Sequence, residues 1–404
     1  MTGDAATGAG NLANLEGTVA AGWHGVRDAF EQNLREGADL GAGVAVYHRG
    51  RLVVDLTGGW FDADRSAPYG ADTLQLVFST TKGITAIAVA ICVQRGLLDY
   101  DHPVSRYWPE FAAKGKSDAT VAQLLSHQCG LFSVQGDITL DEALDWPTIT
   151  SRLADTEPEW PIGSTHGYHA LTYGWLAGEL VRRVDSSGRS VGQFVRDEIC
   201  APLDAEFHIG LPEHLEARVS PMIGGIGGGD DLDPQVRQMM EMFMGPGTKG
   251  GRALSLNGAF AGDGTFNRRD VHAAEIPAAN GITTARAAAR IYAATIGEVD
   301  GVRLVDAPVI ERARAQVTPD GEADQCLILP TAFGMGFMLP SAMVQFAGPG
   351  SFGHPGAGGS VAFAQPERNL AVAYVMNTMA ANLANDMRAA RLAAAAAAAA
   401  DAVG

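Results

Sequence analysis

Phe78-Ser79-Thr80-Thr81-Lys82-Gly83-Ile84 is the stretch on which the reading of this chain turns. Ser79 and Lys82 are three residues apart, so a helix sets them one turn apart on a single face. Ile84 to Leu97 follows as an apolar, Ala-rich run without proline, which predicts a buried helix whose first turn carries the pair. A serine placed there gains twice. An amine within reach can take its proton, and the N–H groups and dipole of a helix start favour developing negative charge. On its own the four-residue spacing arises by chance about once in a chain of this length, and a solvated helix start is the plainer account of it. The rest of the chain has to decide.

The chain has 404 residues, of which 47% are hydrophobic. That is ample for a large core, in two to three domain-sized units or one with a big insertion. A net charge of −17 argues against nucleic acid or an anionic membrane surface as partner, and reads as solubility. Cys92, Cys129, Cys200 and Cys326 show no C-x-x-C or Cys/His ligand spacing, so buried free thiols are expected, and neither metal nor cofactor is called for. The N-terminus lacks the basic and apolar regions of a signal peptide, and the Ala-rich runs are too short or too weakly apolar to span a bilayer. Cytoplasm is the default.

Residues 1–12 read as a loose tail, and Leu15 to Arg35 as an amphipathic helix. Two β-prone runs, Gly43–Tyr47 and Leu52–Leu56, flank His48-Arg49-Gly50-Arg51 and predict a β-hairpin. Beyond the Ser79 helix, Thr120–His127 reads as a second helix with His127 at its C-terminal end. Tyr168–Val184 reads as another. The glycine run Gly224–Gly229 has no following lysine and fits no phosphate loop. Met239, Met240, Met242 and Met244 read as core filler, and Gly245–Gly264 as loop. A helix is predicted through Tyr292 with Thr283 or Thr284 as its cap. Strands are predicted near Phe337, Val361 and Leu370–Met376, and a last helix runs from Met387, fraying within its alanines.

Three short elements stand in an informative order: Ser79-x-x-Lys82, then Gly167-Tyr168-His169-Ala170, then Gly353-His354-Pro355-Gly356-Ala357-Gly358-Gly359-Ser360. Together with Gly96-Leu97-Leu98-Asp99, Leu124–Leu131 and Asn280-Gly281-Ile282, this resembles the serine hydrolases of the class C β-lactamase fold, closest to the family VIII carboxylesterases. The resemblance implies that Ser79 is the nucleophile and that Lys82 and Tyr168 share the general-base work, the phenol being depressed by a neighbouring ammonium. It implies that the N–H groups of Ser79 and Ala357 form an oxyanion hole, with His354 and Gly356 lining the substrate strand. Two departures stand out. Ala170 replaces the asparagine of the Tyr-x-Asn motif, and His354-Pro355-Gly356 replaces Lys-Thr-Gly, so a partly charged histidine stands where a cation would hold a carboxylate.

The implied function is a serine carboxylesterase acting on small, uncharged short-chain acyl esters through an acyl-enzyme. The alternatives are a β-lactamase or amidase of the same fold, or a non-catalytic penicillin-recognising binding protein. The expected fold is α/β (α+β). A mostly antiparallel sheet from residues 13–75 and 275–404 carries terminal helices, and a mainly helical domain, 76–274, contains the glycine- and Met-rich insert 224–270.

Overall fold

The computed structural model describes residues 12, 14–224, 238, 241–380 and 386–404. Nearly all of the expected N-terminal tail, residues 225–229 of the glycine run, Met239 and Met240 lie outside the described residues. In chain order, the elements that place the site are β1 (Glu16–Val19), α1 (His24–Arg35), β2 (Gly41–His48), β3 (Arg51–Gly59), β4 (Leu74–Leu76), α2 (Thr81–Gln94) and α3 (Val121–Leu125). They continue with α4 (Thr172–Val184), β5 (Phe207–His208), β6 (Val219–Ser220), α5 (Lys249–Ser255), β7 (Ile282–Thr283) and α6 (Ala285–Ile296). The last are β8 (Phe352–Pro355), β9 (Val361–Gln365), β10 (Leu370–Met376) and α7 (Met387–Val403).

The predicted hairpin forms as β2 and β3. Arg49 (φ 51°) and Gly50 (φ 72°) both adopt the left-handed conformation that a tight two-residue turn demands. β10 lies between β2 and β9, antiparallel to both, with Val372 opposite Val46. All seven of its residues are buried, which explains its unbroken apolar run. The sheet order is β1-β3-β2-β10-β9-β8, so the strands within residues 43–57 and 360–376 share one antiparallel sheet, as predicted. Ala45, Tyr47, Ala371 and Ala373 face a core under α6; Val44, Val46, Val372 and Tyr374 face another under α1 and α7. Both faces are thus covered, as a sheet apolar on both sides requires. A smaller sheet, β5-β7-β4-β6, leads the chain toward Ser79.

Several elements differ from expectation for physical reasons. The first helix starts only at His24. Gly17 (φ 119°) and Gly22 (φ 89°) take up conformations no helix continues through, and residues 16–19 pair with β3 instead. Around Phe337 there is no strand: Phe333 bridges Met338, Gly336 turns at φ 89°, and Met338 in turn bridges Gly353. The edge strand is β8. Residues 245–264 are not all loop, because α5 is nucleated by Thr248, whose hydroxyl accepts from Gly251 N–H. Met242 is 62% exposed, so it is not core filler. α6 begins after Thr284, the cap that accepts from Ala287 N–H. α7 continues to Val403 with Leu392, Ala396 and Ala400 buried, where fraying was expected. All four cysteines are buried free thiols. Among the described residues no helix is long and apolar enough to cross a membrane.

Candidate active site

Ser79 sits on the turn between β4 and α2, two residues ahead of the helix rather than within its first turn. Phe78 before it has φ 44°, a strained conformation for an aromatic residue. The strain is held from two directions. Phe78 O accepts from both Thr81 N–H (3.0 Å) and Thr81 Oγ1 (2.5 Å), and Thr81 Oγ1 accepts from Gly281 N–H (2.8 Å). The run that follows is buried almost throughout, so α2 is a rigid base for whatever its start carries.

Lys82 is wholly buried in that helix. Its Nζ lies 2.6 Å from Ala170 O, 2.9 Å from Ala278 O and 3.0 Å from Ser79 Oγ. Burial pushes the amine well below the ordinary lysine range, which favours its uncharged form. A neutral amine has two hydrogens and one lone pair. In that form the two carbonyls take the hydrogens and the lone pair is left toward Ser79 Oγ.

Tyr168 precedes α4 and is buried, its ring centroid 4.8 Å from Lys82 Nζ. The phenol is hydrogen-bonded to Ser79, but burial raises its pKa and that bond does not reverse the shift. The expectation of a depressed phenol is therefore corrected: burial outweighs its neighbours and the phenol keeps its proton at neutral pH. Asp324 sets the backbone here. Its Oδ1 accepts from Tyr168 N–H (3.0 Å), Cys326 N–H (2.8 Å) and Leu327 N–H (2.8 Å), while Thr331 Oγ1 donates to Oδ2 (3.2 Å).

Three buried histidines surround this group, and their hydrogen bonds define their tautomers. Leu131 N–H donates to His169 Nε2 (2.8 Å), so His169 Nδ1–H donates to Gly167 O (2.6 Å). His169 N–H donates to His127 Nδ1 (3.1 Å). His354 Nδ1–H donates to Pro355 O (2.7 Å), and its ring stacks on Tyr168 at 5.8 Å. Burial keeps all three uncharged, with His169 lowered to about 4, His354 to about 3, and His127 well below its usual value. His127 is thus no exposed helix-end cation: it lies past α3 at φ 64°, packed against Tyr168 and Phe333. His354, expected to be partly charged, carries no charge at neutral pH.

The turn after β8 packs against the residues on either side of Ser79. Gly356 packs so tightly that a Cβ there would lie 2.3 Å from Val77 O and 2.2 Å from Ser360 Oγ. Ser360 Oγ donates to Val77 O (2.8 Å) and lies 3.1 Å from Thr80 Oγ1. Ala357 follows, half-buried like Ser79. Among the described residues neither Ser79 N–H nor Ala357 N–H has a backbone acceptor. The structure therefore gathers Ser79, Lys82, Tyr168, His354 and the Gly356–Ala357 turn at one place. Sequence reasoning missed Asp324, His169 and the Ala278 carbonyl. Asp324 stands in no pattern, and a backbone carbonyl has no signature in sequence.

Residues 26–397 match the family model described as Beta-lactamase. The esterase/beta-lactamase LipL of Mycobacterium tuberculosis is 38% identical over 84% of this chain and 77% of its own length. A crystal structure of a family VIII carboxylesterase superposes with a TM-score of 0.84 at 34% identity, covering 95% of this chain and 99% of the other. That of a penicillin-binding protein homologue from Caulobacter crescentus gives 0.83 at 38% identity, over 95% and 99%. The chain belongs to the Beta-lactamase family, and it is a serine hydrolase of that fold whose similarities run to esterases and carboxylesterases.

Proposed function

We propose that the protein is a carboxylesterase that hydrolyses small, uncharged short-chain acyl esters through an acyl-enzyme on Ser79. The observation that carries this reading is the Lys82 amine, buried, held by the Ala170 and Ala278 carbonyls and 3.0 Å from Ser79 Oγ, where burial favours the uncharged form that can take the serine proton. Ser79 Oγ attacks the ester carbonyl carbon as its proton passes to Lys82 Nζ, and the carbonyl electron pair moves to the oxygen. The N–H groups of Ser79 and Ala357 receive that oxyanion. The new ammonium has three hydrogens for the same three partners, so it forms without rearrangement. Collapse breaks the bond to the alkoxide, which takes a proton from Tyr168 as Lys82 reprotonates the phenol. Water then attacks the acyl-enzyme with its proton going to Lys82, and collapse returns a proton to Ser79.

A neutral His354 and the methyl group of Ala170 give an anionic ligand no charge and no amide to hold. Losing a hydrogen bond to a charged group is worth about 1.5–3 kcal/mol, or roughly one to two powers of ten in affinity for a β-lactam carboxylate. The test compares 4-nitrophenyl butyrate with a chromogenic cephalosporin in wild type and Ser79→Ala. Ester kcat/KM should exceed that for the lactam by at least about a hundredfold. Ser79→Ala should lose fluorophosphonate labelling and roughly 10³–10⁶ in kcat. Labelling that survives the substitution, or a preference for the cephalosporin, sinks the reading.

A further inference from the structure

Arg388 lies on the first turn of α7, only 6% exposed, and its donors are spread over two parts of the fold. Nη1 donates to Asp39 Oδ1 (2.9 Å), Ala38 O (3.0 Å) and Thr378 O (2.9 Å). Nε donates to Asp386 Oδ1 (3.1 Å), and Nη2 to Asp386 Oδ2 (2.7 Å) and to the carbonyl oxygen of Gly358. Gly358 follows Ala357 directly. Gly359 (φ 125°) lies flat on the pair, for a Cβ there would come within 2.4 Å of Arg388 Nη2 and 2.5 Å of Asp386 Oδ2.

The peptide units connect these contacts to the nucleophile. Gly358 C=O and Gly359 N–H are two ends of one planar unit. Gly359 N–H donates to Gly356 O (3.2 Å), and Gly356 C=O is the opposite end of the unit whose N–H belongs to Ala357. A buried guanidinium therefore pulls on a chain of two aligned peptide dipoles that ends at the Ala357 N–H. Hydrogen bonds in such a series polarise one another. Asp39 and Asp386 keep the cation in place, and Tyr374 OH fastens Asp39 through a 2.6 Å bond.

We propose that Arg388 is a positioning residue for catalysis, aiming and polarising the Ala357 N–H through the Gly358–Gly359 and Gly356–Ala357 peptide units. This rests on the reading of Ser79 and Ala357 given above. The consequence is specific to the transition state, because the ground-state carbonyl draws little on that donor whereas an oxyanion draws fully.

The experiment measures kcat, KM and the inhibition constant of an arylboronic acid, a tetrahedral mimic, for wild type, Arg388→Lys, Arg388→Ala and Gly359→Ala. All rates are expressed per serine labelled by fluorophosphonate, so unfolded molecules do not count. Removing an oxyanion donor outright costs about 10²–10³ in kcat, so mis-aiming one should cost roughly 10–100-fold, with KM changed less than about 3-fold. Boronate affinity should fall in step with kcat/KM, and Gly359→Ala should reproduce the pattern by displacing the guanidinium. Arg388→Lys, keeping the charge but not the fork, should lie between wild type and Arg388→Ala. Variants that melt earlier yet keep kcat and boronate affinity per labelled serine reduce Arg388 to a structural clamp and overturn the inference. If Ser79→Ala still labels, the premise falls instead; if Ser79→Ala abolishes labelling while Arg388→Ala stays wild-type-like, the relay alone falls.

Discussion

Lys82 Nζ lies 2.9 Å from the carbonyl oxygen of Ala278, a residue 196 positions further along the chain. With Ala170 O, 88 positions away, it holds the amine beside Ser79. In the proposed mechanism the base is made by the backbone as much as by the lysine.

Lys82→Arg tests this directly. A guanidinium is permanently protonated and has no lone pair to offer, so kcat should fall by about 10²–10⁴ with the fluorophosphonate reaction slowed in parallel. The folded pKa lies below 10.5, so between those values the unfolded chain binds the proton and the native one does not. Wild-type stability therefore declines as pH falls through that window. Lys82→Met lacks this dependence, and it should gain stability on wild type as pH falls from about 10.5, by up to about 1.4 kcal/mol per pH unit until the folded amine titrates. A pH-independent difference excludes a depressed amine.

Tyr168 and Lys82 hand one proton back and forth in the proposed mechanism. Tyr168→Phe and Lys82→Ala should each cost nearly as much kcat as the double variant does. Additive losses would assign them separate roles, and an active Tyr168→Phe enzyme would leave the tyrosine a packing residue.

The buried histidines predict acid sensitivity. His169 and His354 titrate near 4 and 3 in the folded chain, against 6.5 for the ordinary side chain, and His127 is lowered too. Below pH 6.5 the unfolded chain takes up protons that the native one refuses. The histidines' contribution should be intact above that value and fall by about 1.4 kcal/mol per pH unit per histidine toward pH 4. Urea midpoints at pH 7, 6 and 5 measure the slope, which His354→Gln should reduce; an unchanged slope would mean that ring is charged or solvated.

Ala170 presents its carbonyl to Lys82 and only a methyl group from its side chain. Ala170→Asn leaves the carbonyl and adds an amide, so residual cephalosporin turnover should rise by roughly tenfold while kcat for butyrate esters changes little. Chromogenic assays on both substrates decide it. Lost ester activity with no lactam gain would show that the amide disturbs Tyr168 instead.

The local code carried a good deal of this. Gly50 at a turn needing positive φ, an unbroken apolar run at Leu370–Met376 and a threonine before α6 each act over a few residues, and each formed as read. Ser79, Lys82 and Tyr168 were legible as a set because their order and spacing resemble a family. What stayed hidden acts at a distance. Nothing around Asp324 says that it will collect Tyr168 N–H, and the Leu15–Val19 run kept a helical rhythm while Gly17 committed it to pairing with β3. The charge states were hidden too, since an amine or imidazole reads as a cation until the burial of its surroundings is known.

The sheet order has a consequence for biosynthesis. β10 is the last strand made, yet it fills the gap between β2 and β9. Gly41 N–H waits for Asn377 Oδ1, 336 residues downstream, which at about 5–20 residues per second means roughly 17–70 s of translation. Throughout that interval the edge of β2 that carries Val44-Ala45-Val46, wholly buried in the finished enzyme, lacks its partner β10. Such an edge is open to pairing with another nascent chain. Yield of active enzyme should therefore respond more to translation speed and to chaperones that shield strand edges than to the stability of the mature fold.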